Sequence, residues 1–204
     1  MLGPTLGLQA RRVERFGFRT DCGFNYASVT GTLSMHARRL AEHVANLDTS
    51  CLHLVGHSMG TLVILKMLAE CRDSRIGRSV LLSPPYRGSA AGRALAAFRP
   101  GRWILGRSAS LWLQEEQVPP AQEATVGVIA GTLPVGIGVL LGVLESPHDS
   151  VVMVRETVVP GMRDHITLPV SHVGMLLAPA VAEQTCTFLE HGHFHRSGAL
   201  SEVA

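Results

Sequence analysis

The sequence has little charge of either sign: only 17% of its 204 residues are charged, and the formal net charge is +2. No basic run exceeds two residues, so no electrostatic preference for nucleic acid or for an anionic membrane surface is expected. The hydrophobic content of 46% is too high for a disordered chain. We therefore expect one globular domain with a sizeable apolar core.

Cysteine pairs and a signal peptide are also missing. The four cysteines form no C-x-x-C pair: Cys22, Cys51, Cys71 and Cys186. This spacing argues against a disulfide framework and a zinc site, so we expect reduced, mostly buried thiols and neither metal nor other cofactor. The opening "MLGPTLGLQARR" lacks the basic region that begins a signal peptide. These features together favour a cytoplasmic location.

One uncharged stretch has to be tested as a membrane span. Residues 124–144, "ATVGVIAGTLPVGIGVLLGVL", are long enough to cross a bilayer. The stretch contains five glycines and Pro134, and its part "TVGVIAG" is typical of a buried strand followed by a turn. We therefore predict a core strand here and no membrane span.

Strand-like and helix-like patterns alternate along the chain, without internal repeats or low-complexity tracts. This alternation predicts a mostly parallel α/β sheet with helices on both faces. Helices are predicted at residues 6–17, 32–47, 59–71 and 178–192, and strands at residues 18–26, 50–55, 78–85, 124–131 and 164–170. Residues 1–195 are expected to form a single domain, followed by a flexible tail at 196–204. Residues 87–123, which hold both tryptophans, are predicted either to cover the site or to form ordinary core helices.

The stretch Gly56-His57-Ser58-Met59-Gly60 has the pattern G-x-S-x-G. A strand-like run, "CLHLV", precedes it, and a helix-like run, "MGTLVILKML", comes after it. In such a strand-to-helix turn the serine takes a strained backbone conformation, and the glycines let strand and helix approach closely. The serine oxygen is then presented above the sheet edge, at the positive end of the helix. This context favours a nucleophile over a purely structural turn.

A nucleophilic serine needs a histidine base and an orienting carboxylate, in the chain order serine, acid, histidine. His172 comes after the strand-like "HITLPV", so we expect it at the same sheet edge as Ser58. His165 falls inside that strand, and the His57 side chain is expected to leave the turn in another direction. The last three histidines lie in "HGHFH", where a solvated tail is favoured over a metal site: His191, His193 and His195.

Two aspartates come late enough in the chain to be the acid. Asp164 starts the strand that precedes His172, so about five residues of about 3.3 Å each would separate the two by roughly 17 Å. Asp149 comes after the preceding strand and shares the expected edge, so we choose it over Asp164, with Glu145 third. A helix N-cap before "VVMVRET" is the other interpretation of Asp149, and it is compatible with the catalytic role.

Three stretches resemble the α/β-hydrolase superfamily: "HLVGHSMGTLVILKML", "SPHDSVVMVRETVVPGMRDHITLPVSHVGML" and the closing "FLEHG". The resemblance runs from about residue 8 to 194 and is greatest to small lipase- or esterase-like bacterial hydrolases. In those, D-x-V-V-x-V carries the acid and S-H-x-G-[ML] the histidine. It implies a triad of Ser58, Asp149 and His172, with the Met59 backbone N–H as an oxyanion donor. The implied reaction is hydrolysis of small-molecule or lipid-like carboxylic esters through an acyl-enzyme.

Two departures qualify the resemblance. Ser150 stands where relatives often have glycine after the acid. The family also begins with a core strand ending in a His-Gly oxyanion loop, whereas "MLGPTLGLQARR" resembles the segment just after that loop, so an N-terminally shortened sheet is expected. Leu2 or Gly3 would then have to supply the second oxyanion donor, and loss of one donor costs about 10²–10³ in rate. The alternatives are therefore an impaired or non-catalytic domain, or an acyltransferase with the same triad; the oligomeric state is left open.

Overall fold

The fold is built from five helices and four strands within the residues described by the computed structural model, which are 6–22, 24–26, 31–97, 119, 125–136 and 142–196. The helices are α1 Gly7–Glu14, α2 Leu33–Ala45, α3 Met59–Glu70, α4 Ala90–Ala96 and α5 Pro179–His191. The strands are β1 Leu52–His57, β2 Ile76–Leu82, β3 Thr125–Gly131 and β4 Asp164–Leu168. Short 3₁₀ helices occupy Val154–Thr157 and Gly174–Leu176.

The four strands form one parallel sheet in the order β1-β2-β3-β4. Consecutive strands are therefore neighbours, and each connection crosses back over the sheet. Four of the predicted strands and all four predicted helices are present. The predicted parallel α/β architecture is confirmed.

Apolar side chains bury both faces of the sheet. On one face, α2 and α3 pack with Leu81 and Val128, and on the other α5 packs with Val80 and Ile129. Successive side chains of a strand point to opposite faces, so a strand covered on both sides needs a continuous apolar run. This explains the uncharged "TVGVIAG", which is β3. No helix among the described residues is long and apolar enough to cross a membrane; residues 124 and 137–141 of the uncharged stretch lie outside them.

The strand predicted at residues 18–26 does not form in the described part of that segment, so this prediction is wrong there. Within the described residues, β1 pairs with β2 alone, and no strand is available whose peptide groups could bond with the segment. Two of its three aromatic rings, those of Phe24 and Tyr26, lie against α2 instead. The ring of Tyr26 lies 4.7 Å from that of His36, and the ring of Phe24 lies 5.7 Å from that of His43.

The chain beyond α5 is anchored as far as Arg196. Phe194 is only 2% exposed and its ring lies 4.8 Å from that of Phe188. The backbone N–H of Phe194 donates to Asp164 Oδ2 at 2.8 Å, and Arg196 forms an ion pair with the same carboxylate. This part of the chain is therefore held by a buried aromatic ring and by a carboxylate at the start of β4, although the side chains of His193, His195 and Arg196 are exposed. The rest of the predicted tail lies outside the described residues.

The four cysteines are free thiols, but they are not mostly buried as expected. Cys186 is buried in α5, Cys71 is half-buried, and Cys22 and Cys51 are exposed. The exposed pair lie in connections between elements, where an apolar residue type does not guarantee a place in the core.

Candidate active site

Ser58 forms the whole turn between β1 and α3, because β1 ends at His57 and α3 begins at Met59. Its backbone angles are φ 53° and ψ −128°, a strained combination for a residue with a side chain. Hydrogen bonds hold this conformation from both sides. The Ser58 N–H donates to the Leu82 carbonyl at 2.9 Å, and the Ser58 carbonyl accepts from Thr61 N–H at 3.0 Å. This is the strained turn that the G-x-S-x-G pattern predicts.

The two glycines of the motif have different roles. A Cβ on Gly56 would lie 3.1 Å from the backbone carbon and oxygen of Gly60 and 2.7 Å from Ile64 Cδ1. A Cβ on Gly60 would meet only Tyr26 Oη, at an ordinary 3.5 Å. The close approach of helix to strand therefore requires glycine at position 56 but not at position 60.

We expect Gly56→Ala to lower the free energy of unfolding by about 1–3 kcal/mol, because the new methyl group overpacks the strand–helix contact. The matched control is Gly60→Ala, which should leave this free energy unchanged or raise it by up to about 1 kcal/mol, since alanine is the better helix former. Urea denaturation of both variants measures the difference. Equal stability of the two variants would contradict the assigned contact.

His172 and Asp149 form a buried hydrogen-bonded pair. His172 Nδ1 lies 2.7 Å from Asp149 Oδ2, and the two residues are 8% and 1% exposed. The backbone N–H of His172 also donates to the Asp149 carbonyl at 2.8 Å. With its carboxylate acceptor at Nδ1, the neutral imidazole carries its proton on that nitrogen and keeps Nε2 as the basic one.

The Asp149 carboxylate is oriented by groups on both of its oxygens. Oδ1 accepts from the backbone N–H groups of Val151 and Val152, at 2.9 and 2.8 Å. Burial alone would raise the pKa of Asp149, but the hydrogen bond and charge of His172, with the Val152 N–H and the Ser83 hydroxyl, lower it below its ordinary value. The Ser83 hydroxyl lowers this pKa by lying near the carboxylate. It makes no hydrogen bond of good geometry with another described residue. Asp149 is therefore ionised at neutral pH.

The candidate residues lie at the same edge of the sheet, beyond the carboxyl ends of its parallel strands. Ser58 comes directly after β1, the loop with Asp149 after β3, and His172 after β4. The loop packs tightly on the end of β3: a Cβ on Gly131 would lie 2.7 Å from Asp149 Cβ. The ring of His57, the residue next to Ser58, lies 4.6 Å from the ring of His172.

The candidates ranked lower in the sequence are engaged elsewhere. Asp164 starts β4, at the far end of that strand from His172, and pairs with Arg196. Glu145 forms an exposed ion pair with Arg155 at 2.5 Å. His165 lies within β4, with Nε2 2.9 Å from a threonine hydroxyl. Among the described residues, no group of three or more histidine, cysteine or acidic side chains could hold a metal ion.

Met59 is the first residue of α3, so its N–H belongs to the helix turn whose donors lack an intrahelical acceptor. At that position the Met59 N–H can donate a hydrogen bond to an oxyanion. Leu2 and Gly3, expected to substitute for a second donor, lie outside the described residues, as do Trp103 and Trp112.

Sequence reasoning missed the contact made by His57. Its Nε2 lies 3.0 Å from the backbone oxygen of His172, and the side chain is 4% exposed. The signal available in the sequence was a histidine directly before the serine, at the end of an apolar strand.

The match to known families agrees with this geometry. A model of the alpha/beta hydrolase family matches residues 6–200, nearly the whole chain. The chain belongs to the alpha/beta hydrolase family. No curated protein sequence matches this chain.

Solved structures similar to this alpha/beta hydrolase include three esterases or lipases. Legionella pneumophila phospholipase PlaB superposes with a TM-score of 0.67 at 16% identity over 94% of this chain and 57% of its own. The metagenomic carboxyl esterase MGS0156 has a TM-score of 0.60 at 19% identity over 80% and 57%. Mature Bacillus licheniformis lipase BlEst2 has a TM-score of 0.51 at 17% identity over 78% and 70%. The chain thus spans little more than half of two of them, and at these identities the likeness shows the fold alone.

Proposed function

We propose that this chain is a serine hydrolase that cleaves carboxylic esters with Ser58, His172 and Asp149. The observation that carries the proposal is the buried hydrogen bond of 2.7 Å between His172 Nδ1 and Asp149 Oδ2, at the sheet edge that bears the strained Ser58 turn. A histidine oriented by a buried carboxylate beside a strained serine is the arrangement that activates a serine for acyl transfer.

In the proposed reaction, His172 Nε2 takes the proton of Ser58 Oγ as this oxygen attacks the ester carbonyl carbon. Asp149 holds the Nδ1 proton and stabilises the imidazolium, while the Met59 N–H donates to the oxyanion. The intermediate then expels the alcohol, which takes the proton from His172, and leaves an acyl group on Ser58. Water attacks this acyl-enzyme with His172 again as base, and the carboxylic acid is released. An alcohol in place of water would give acyl transfer by the same groups.

We extend the proposal to the single domain at residues 1–195, with residues 87–123 as a cover of the site or a helical insertion; of these, 98–118 and 120–123 lie outside the described residues. Support for the cover comes from its described beginning. Ser89 Oγ donates to the Val151 carbonyl at 2.6 Å, and the Ala90 N–H donates to buried Glu156 at 2.8 Å. The start of this segment is therefore tied to the loop that comes after Asp149. A small-molecule or lipid-like ester as substrate, and a cytoplasmic location, stay predictions.

A fluorophosphonate probe tests the proposal. We expect the folded chain to be labelled at Ser58, as identified by mass spectrometry of the labelled peptide, and to hydrolyse a short-chain nitrophenyl ester. Heat-unfolded protein is the control and should take no label, because the reactivity of the serine depends on the assembled site. A folded chain that takes no label would support the non-catalytic alternative instead.

A further inference from the structure

Both backbone polar groups of His172 are bonded to residues of the site. Its N–H donates to the Asp149 carbonyl at 2.8 Å, and its carbonyl oxygen lies 3.0 Å from His57 Nε2. A carbonyl oxygen can only accept a hydrogen bond, so the proton of the His57 ring is on Nε2. The proposed base is therefore held through its main chain as well as through its ring.

His57 is covalently bonded to the proposed nucleophile. It is the last residue of β1, and Ser58 is the next residue, in the turn. Through the hydrogen bond of its ring, His57 thus ties the main chain of His172 to the position that directly precedes Ser58. This is a shorter mechanical link between base and nucleophile than the path through the sheet.

The environment of His57 keeps its ring neutral. Burial, followed by the charge of His172, lowers the pKa of His57 to about 3, against a smaller opposing effect of Asp149. The His57 ring lies 4.6 Å from that of His172, with 46° between the ring planes. A neutral ring in this place donates a hydrogen bond without adding a positive charge next to a base that becomes positive during the reaction.

We propose that His57 is a positioning residue, whose Nε2–H bond to the His172 carbonyl sets the place of the His172 ring relative to Ser58. This inference rests on the proposed function of the same site and adds to it a group that makes no contact with the reacting atoms. The inference requires that the side chain at position 57 carry an uncharged hydrogen-bond donor as far from its own main chain as Nε2 is.

Replacing His57 by each of the two amide residues tests whether this position needs a donor at the distance of Nε2 or only a polar side chain. The amide nitrogen of glutamine is as many bonds from Cα as Nε2 of histidine, whereas that of asparagine corresponds to Nδ1. We expect His57→Gln to keep kcat within about threefold of wild type. His57→Asn and His57→Leu should lower kcat about 10–100-fold with KM nearly unchanged, since a displacement of about 1 Å can cost 10²-fold. Equal kcat values for the Gln and Asn variants would overturn the inference.

A second measurement does not depend on activity. The Nδ1 proton of His172, which lies in the hydrogen bond to Asp149, gives its own NMR resonance in ¹⁵N-labelled protein. We expect this resonance to persist in His57→Gln and to broaden by exchange with water in His57→Asn; an unchanged resonance in His57→Asn would overturn the inference. A normal response of the resonance in a chain that neither hydrolyses esters nor takes the fluorophosphonate label would support the positioning and contradict the proposed function. If His57→Leu does not fold by circular dichroism, the Gln and Asn pair decides alone.

Discussion

Replacing Ser58 by alanine is expected to lower kcat for ester hydrolysis by about 10⁶, the loss typical of removing a serine nucleophile from a complete triad. The substitution removes the attacking oxygen and leaves the His172–Asp149 hydrogen bond of 2.7 Å intact. Alanine tolerates the backbone at φ 53° no better and no worse than serine, so the fold should be retained. Hydrolysis of a nitrophenyl ester measures the loss, with KM expected to change little.

The matched control is another serine at the same edge of the sheet. Ser150 is buried and has a positive φ of 86°. Ser150→Gly should keep activity within about threefold, because glycine adopts such a φ without strain. Wild-type activity in Ser58→Ala would show that the reaction uses a different nucleophile.

Asp149→Asn is expected to lower kcat by about 10⁴. The amide retains an oxygen that can accept from the Val151 and Val152 N–H groups, so the loop should keep its conformation. Its NH₂ group would then face His172 Nδ1, where two donors cannot bond. The neutral imidazole would move its proton to Nε2 and lose the lone pair that receives the serine proton.

Asp164→Asn is the matched control, since Asp164 is the aspartate closest to His172 in sequence. It should keep kcat within about threefold. Its partly exposed pair with Arg196 contributes to the anchoring of the chain after α5, and loss of that pair should lower the free energy of unfolding by no more than about 1 kcal/mol. A large loss of kcat in Asp164→Asn, together with an active Asp149→Asn, would reverse the assignment of the acid.

Much of the architecture can be read from local sequence patterns. Continuous apolar runs that alternate with segments of helical periodicity predict the parallel sheet, because strands covered on both faces need such runs. The Ser58 turn was predictable because Gly56, which allows the close approach of strand and helix, stands two residues before a serine between a strand-like and a helix-like run. The choice of Asp149 over Asp164 also needed only strand length and the rule that functional groups gather beyond the carboxyl ends of parallel strands.

Other features depend on contacts between distant parts of the chain. The segment at residues 18–26 has the composition of a strand, but composition cannot tell whether a neighbouring strand is there to bond with it. The bond between His57 and His172 joins residues 115 positions apart. Its formation depends on how the loop after β4 folds back over the end of β1. Sequence periodicity carries no information about that packing.

The sequential order of the strands in the sheet has a consequence for the chain as it is synthesised. The 115 positions between His57 and His172 correspond to roughly 6–23 s of translation at about 5–20 residues per second. During that interval the segment that carries Ser58 has been synthesised, while His172 has not. A nascent chain interrupted before β4 would therefore carry the proposed nucleophile without its proposed base, and we expect such a chain to be inactive.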